Sequence, residues 1–166
     1  MKKLILFFSL IIVALGCNAQ NEKPGSAIPP YRILKTDSTW ATPANLKHRR
    51  TVLIYFSPDC PHCQHLTMQM REKIKQFGDA QIVMITWSNN YDIRAIKSFV
   101  KEFNLTKYRN IIVGTEGYTY VVQKYYKIET TPYIAVFNAN GTLSKAFRKA
   151  PEQVDTLIKA VKAAKS

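Results

Sequence analysis

Apolar and polar positions change period several times along the chain, and each change marks an element. Thr51–Phe56 is a continuous β-branched and aromatic run, the pattern of a strand buried on both faces. From Pro61 to about Phe77 the apolar spacing turns helical. Leu66, Met70, Ile74 and Phe77 share one face, and Gly78-Asp79 ends the segment. Gln81–Trp87 is a second buried-strand run. Tyr91–Phe103 reads as an amphipathic helix on Ile93, Ile96, Phe99, Val100 and Phe103. Tyr31–Lys35 and Ile111–Val113 are short strand candidates, and Tyr118–Tyr126 a short helix. Tyr133–Phe137 and Thr142–Arg148 flank Asn138-Ala139-Asn140-Gly141. That is a β-hairpin signal, because Asn and Gly tolerate the positive φ of tight turns. Pro151 is expected to open a last helix to about Ala164, with Val154, Leu157, Ile158 and Val161 apolar.

This order predicts an α/β domain. Alternating strand and helix gives parallel strands joined by right-handed crossovers, with helices on both faces. The terminal hairpin adds antiparallel strands, so the central sheet is mixed. A chain of 166 residues suits one domain with one sizeable core. Its 46% hydrophobic and 21% charged content is that of a globular protein, which argues against global disorder.

The first residues follow a different logic. Met1-Lys2-Lys3 is a positive start, Leu4–Leu15 is almost wholly apolar, and Gly16-Cys17-Asn18-Ala19 is small and weakly polar. This is the pattern of a secretory signal over residues 1–19, and the apolar run is short for a membrane span. Ala14-Leu15-Gly16-Cys17 resembles a bacterial lipobox, which would make Cys17 the lipidated first residue. Cleavage near Ala19-Gln20 is the alternative, and Cys17 would then leave with the signal. Residues 20–30, with Pro24, Gly25, Ser26, Pro29 and Pro30, read as a tether to a domain over residues 31–166. The expected location is the periplasm or cell envelope.

Export sharpens the cysteine count. Of three cysteines, Cys60 and Cys63 remain as a pair once Cys17 is lipidated or removed. A disulfide-stapled scaffold needs several bridges across long loops, and a bridge between these two would close a tiny one. The pair therefore has a poor structural reason to exist and a good redox one. The net charge of +13 falls only to about +11 without Lys2 and Lys3. The lysines are scattered and no block of like charge appears, so a solvated surface accounts for them. With export and no basic-aromatic motif, no nucleic-acid partner is expected.

Cys60 lies just past the carboxyl end of a buried strand and at the start of a helix. Unpaired N–H groups and the positive dipole end there stabilise a thiolate. Pro61 suits the first helical turn, and a partly protonated His62 beside Cys60 would stabilise the thiolate further; these two are the candidate redox-tuning residues. Cys63, nearly one turn on, is expected to be more buried and to act as the resolving thiol. Cys60 would attack a substrate disulfide and Cys63 would release the product; run backwards, the same steps oxidise a dithiol.

The stretch Ile54-Tyr55-Phe56-Ser57-Pro58-Asp59-Cys60-Pro61-His62-Cys63, with Thr130-Thr131-Pro132 some seventy residues later, resembles the thioredoxin superfamily. The preceding Tyr31–Leu46 segment and the helix inserted before Ile111 make it most similar to the TlpA/ResA-type membrane-associated reductases. Cys-Pro-His-Cys is the motif of DsbA-type oxidases. The resemblance implies a three-layer thioredoxin-like fold and catalytic Cys60 and Cys63. It also implies Pro132 as a cis-proline facing the disulfide, with Thr131 offering backbone to substrate. The partners implied are protein dithiols or disulfides and a membrane or periplasmic thiol donor, without a cofactor. The family's usual acids are absent: Ile54 and Leu66 stand at their positions, and Met68 replaces a helix-kinking proline. Asp59 stands where an aromatic residue is usual; which group deprotonates Cys63 stays open at this point, and His65 and Asp59 are the candidates.

Two other chemistries share parts of this pattern. A peroxiredoxin-type peroxidase wants Ser or Thr three residues before its reactive Cys, which Ser57 satisfies, and Pro seven before, where Leu53 stands. A metal-binding module would draw on Cys60, Cys63 and His65 for copper(I) or zinc.

Overall fold

The computed structural model describes residues 26–166. The expected signal segment, Cys17 and the first part of the expected tether lie outside the described residues. Seven strands and four α-helices follow one another: β1 (Ile33–Lys35), β2 (Trp40–Ala41), β3 (Thr51–Tyr55), α1 (Pro61–Glu72), β4 (Gln81–Thr86), α2 (Arg94–Glu102), β5 (Ile111–Thr115), α3 (Val121–Tyr126), β6 (Tyr133–Phe137), β7 (Leu143–Phe147) and α4 (Val154–Ala163).

The strands form one sheet in the order β2-β1-β5-β4-β3-β6-β7. β3, β4 and β5 are parallel, with Leu53 beside Val83 and Val83 beside Ile112. β1 joins β5 antiparallel, and β6 and β7 extend the other side antiparallel. The parallel strands carry near-continuous apolar runs because helices or chain segments cover both faces. On one face Leu66 and Met70 of α1, Phe99 of α2 and Leu157 of α4 pack on Ile54, Phe56 and Met84. On the other, Val122 and Tyr126 of α3 and the N-terminal Tyr31 pack on Leu53, Tyr55 and Ile85. Each fully buried side chain of this kind contributes about 2 kcal/mol of apolar transfer energy. The fold is therefore the three-layer, mixed-sheet α/β architecture read from the sequence.

The differences are local. β2 is a two-residue strand whose Trp40 pairs with Leu34, too short to leave a period in the sequence. α2 begins at Arg94 rather than Tyr91, because residues 89–91 form a separate 3₁₀ turn with Asn90 at φ +46°. The Asp92 carboxylate accepts the Arg94 N–H at 2.9 Å and starts the helix there. α4 begins at Val154 rather than Pro151. Its first N–H is taken by the Gln69 side chain of α1 at 3.2 Å, a cap supplied from another element. Residues 26–30, assigned above to the tether, lie against the domain: Ala27 bridges Thr142, and its carbonyl accepts the Tyr126 hydroxyl at 3.1 Å. Gly114 lets β1 close onto β5, since a Cβ there would stand 2.8 Å from the Leu34 carbonyl oxygen.

Candidate active site

β3 ends at Tyr55, and the chain turns through Ser57-Pro58-Asp59 before α1. The turn is tied at several points. The Ser57 carbonyl accepts the Cys60 N–H at 3.2 Å, the Ser57 hydroxyl donates to the Asp59 carboxylate, and the Gln64 side chain donates to the Pro58 carbonyl at 2.9 Å. Cys60 occupies the N-cap of α1 with extended backbone, and Pro61 fills the first turn, where a missing N–H leaves no bond unmade. The Cys60 carbonyl accepts the N–H groups of Cys63 and Gln64, each at 3.0 Å, which opens the helix.

Both cysteines are free thiols. Cys60 is half-buried, whereas Cys63 is 1% exposed and packed with Leu66 and Phe56. Their chemistry is split accordingly. Burial alone would raise the Cys60 thiol. Hydrogen bonds from the Cys63 thiol and N–H, the Thr131 side chain and the His62 N–H outweigh burial and hold it below the ordinary thiol value. Cys63 is pushed up to about 12, first by burial and then by its hydrogen bond to Cys60. The arrangement is a half-buried sulfur whose thiolate form is favoured beside a buried sulfur held as thiol.

The second half of the site comes from the segment between α3 and β6. The Thr131–Pro132 peptide is cis. The Thr131 carbonyl accepts a hydrogen bond from Cys60 Sγ at 3.6 Å, although 71 residues separate the two in sequence. Cys60, Cys63, Thr131 and Pro132 are thus brought together. His62 contributes to Cys60 through its backbone, while its side chain is exposed. His65 is exposed and engaged with Gln69 at 3.0 Å, and Asp59 is exposed and held by Ser57. Among the described residues no group of three or more His, Cys, Asp or Glu side chains is arranged to hold a metal, so Cys60, Cys63 and His65 do not converge on one.

One residue near this end of the sheet escaped the sequence reading. Glu116 follows β5 directly and is fully buried. Its Oε2 accepts the Val122 N–H at the start of α3 at 2.9 Å, while Oε1 and the Tyr55 hydroxyl are sealed in and interact with each other, with no other partner among the described residues. Burial raises the Glu116 carboxyl against the hydrogen bonds from α3 that lower it. The signal available was one acid between a strand run and a short helix, which has no periodicity to betray it.

A cis-proline loop facing two cysteines at the head of a helix, on a mixed sheet, defines a thioredoxin-fold protein with a dithiol site. The family described as thioredoxin-like domain matches residues 41–162, and the chain belongs to it. Among solved structures, a secreted disulfide oxidoreductase of Mycobacterium tuberculosis superposes with a TM-score of 0.65 at 21% identity, covering 81% of this chain and 96% of the other. A thiol:disulfide interchange protein of Chlorobium tepidum gives 0.64 at 19%, covering 86% and 97%. A peroxiredoxin-like protein of Aquifex aeolicus gives 0.64 at 19%, covering 84% and 86%. At these identities the likeness is one of fold. No curated protein matches the chain. Among the described residues no helix is long and apolar enough to cross a membrane.

Proposed function

We propose that this chain is an exported thiol–disulfide oxidoreductase that reduces protein disulfides through Cys60 and Cys63. The observation that carries the reading is the opposed pair of thiols, one lowered and half-buried, the other raised and fully buried. Cys60 thiolate attacks one sulfur of a substrate disulfide, forming a mixed disulfide and expelling the other sulfur as thiolate. Cys63, losing its proton, attacks Cys60 Sγ, forming the enzyme disulfide and releasing the second substrate sulfur. Two electrons pass from the enzyme dithiol to the substrate, and a membrane or periplasmic thiol donor returns them. Thr131 and Pro132 border the attacked sulfur and present backbone to the substrate.

The reductive direction is supported by what bonds Cys60. Its hydrogen-bond partners are a thiol, a hydroxyl and backbone N–H groups, all neutral. Neutral donors stabilise a thiolate less than a cation does, so the reduced form is favoured modestly and the disulfide is a weak oxidant. A titration of the Cys60–Cys63 couple in glutathione buffers, paired with insulin reduction, tests this. A potential near the roughly −270 mV of thioredoxin agrees with reduction, and one near the roughly −120 mV of DsbA overturns the direction. Loss of exchange in Cys60→Ala is required by the reading in either direction. The fold likeness to a peroxiredoxin-like protein keeps one other reading open to test: peroxide consumption with Cys60 passing to sulfenic acid. Anchoring through Cys17 in the periplasm or cell envelope is checked by palmitate labelling of the chain against Cys17→Ser.

A further inference from the structure

The described residues expose four large hydrophobic side chains, and three of them stand at one end of the sheet. Trp87 is 45% exposed, Tyr118 50% and Trp40 39%. Register explains their common level. Thr86 of β4 pairs with Thr115 of β5, Thr115 pairs with Leu34 of β1, and Leu34 pairs with Trp40 of β2. Trp87 and Tyr118 follow the same strand ends. Cys60 follows the carboxyl end of β3, the next strand in this parallel set, and carboxyl ends are where open α/β sheets bind ligands.

The rings are linked. Trp40 meets Tyr91 edge-on at 5.2 Å between centroids, Trp87 meets Tyr120 at 6.5 Å, and Tyr120 meets Tyr118 at 6.1 Å. Gly117 lets Tyr91 close onto the Tyr118 loop, because a Cβ at Gly117 would come within 2.7 Å of the Tyr91 ring. The ridge is held at a conformational cost. Asn90, Tyr91 and Tyr120 all have left-handed backbone, at φ +46°, +56° and +50°. Side chains with a Cβ disfavour that region, and such residues gather where a surface is shaped for use. An aromatic ridge this open is also unusual for a surface left in water.

We infer that this ridge is the docking surface for an extended, apolar and aromatic polypeptide segment flanking the substrate cysteine, an inference that rests on the disulfide-exchange reading above. Two observations select that occupant. The ridge is continuous with the redox site through a groove of about 350 Å³ bounded by Ser57, Pro58 and Asp59 on one side and Trp87 and Ser88 on the other, and Asp59 adjoins Cys60. Three of its bordering cations are occupied by its own rings or by Asp92, although the whole chain carries +13. Arg32 lies over Trp40 at 3.9 Å, Lys124 over Tyr120 at 5.9 Å, and Arg94 is paired twice with Asp92. A surface whose cations lie against its own rings or on Asp92 presents mainly aromatic faces, which recognise apolar side chains, and those become accessible in a substrate that is unfolded or misfolded.

The test separates docking from chemistry. The double variant W87A/Y118A alters two exposed side chains and no residue of the redox site. Its KM for insulin reduction should rise about tenfold while its reaction with glutathione disulfide, which has no apolar or aromatic side chain for the ridge to hold, stays within twofold of the unaltered protein. An insulin KM within twofold of the unaltered protein overturns the inference. Both tryptophans of the chain stand in the ridge, so their emission reports binding directly. Titration with cysteine-blocked insulin B chain should shift that emission, and Y118A should weaken the binding severalfold. A shift produced by oligosaccharides and not by the peptide makes the ridge a glycan site and overturns the inference. Failure of the unaltered protein to react with glutathione disulfide sinks the redox reading instead, and the blocked peptide still decides the ridge.

Discussion

Cys60 Sγ and the Thr131 carbonyl oxygen stand 3.6 Å apart, so the head of the helix that carries both cysteines and the loop that carries the cis-proline meet at one sulfur. The Thr131 residue acts on that sulfur in two ways. Its carbonyl accepts the thiol proton, whereas its side chain bonds the sulfur so as to favour the thiolate. Thr131→Val keeps the carbonyl and the side-chain shape and removes the hydroxyl. Cys60 should then titrate at higher pH, and its alkylation rate at neutral pH should fall by about two- to tenfold, the worth of one neutral hydrogen bond. An unchanged rate shows that the hydroxyl does not tune the nucleophile.

The two cysteines should separate completely in their reactivity. In the reduced protein, iodoacetamide should modify Cys60 with a midpoint below the ordinary thiol value and leave Cys63 unmodified through pH 9, read residue by residue by mass spectrometry. If the buried thiol resolves the mixed disulfide, as proposed, Cys63→Ala should trap that species with an insulin substrate. Equal labelling of both cysteines refutes the division of labour.

Cys63 also makes stability depend on pH. Its folded value, about 12, lies above the ordinary thiol value, so the folded state holds a proton that the unfolded state releases first. The contribution is fully present below about pH 8.5 and is lost as pH rises, at up to about 1.4 kcal/mol per pH unit. Buried Tyr31, Tyr55 and Tyr126, also raised by burial, add the same trend above pH 10. Between pH 9 and 10 the reduced protein should therefore lose stability in denaturant titrations more steeply than Cys63→Ser. Parallel slopes contradict the raised thiol.

Much of this was legible before any coordinates because the signals were long or doubled. Val52–Tyr55 and Ile82–Ile85 are unbroken apolar runs rich in β-branched residues, buried throughout, as central strands require. The meeting of Cys60 and Cys63 with Thr131-Pro132 is legible because the resemblance to a known fold places the two segments together. What escaped depends on contacts that no local window contains. α4 starts where Gln69, 85 residues away, reaches its first N–H. β2 has two residues and exists through its register with β1. The turn at Asn89–Tyr91 interrupts an otherwise helical apolar spacing, and the aromatic ridge is dispersed over four segments of chain.

Glu116 offers the sharpest contrast between two explanations of a buried acid. If its role is to accept the α3 N–H groups, a neutral acceptor suffices. Its carboxyl lies above its ordinary value because burial disfavours the charge, so the folded state favours the protonated form. The sign then follows: the group stabilises the fold most below its ordinary value near pH 4.5, and that contribution is lost as pH rises through the folded value. Glu116→Gln keeps an oxygen for the Val122 N–H and removes the charge. Its Tm should match the unaltered protein near pH 4 and exceed it by a growing margin toward pH 7. Glu116→Ala leaves the Val122 N–H buried and unpaired and should cost about 1–3 kcal/mol at both pH values. If Glu116→Gln is destabilised at pH 7, the carboxylate charge itself is required, and the sealed pair of Oε1 and the Tyr55 hydroxyl becomes the place to look for what it serves.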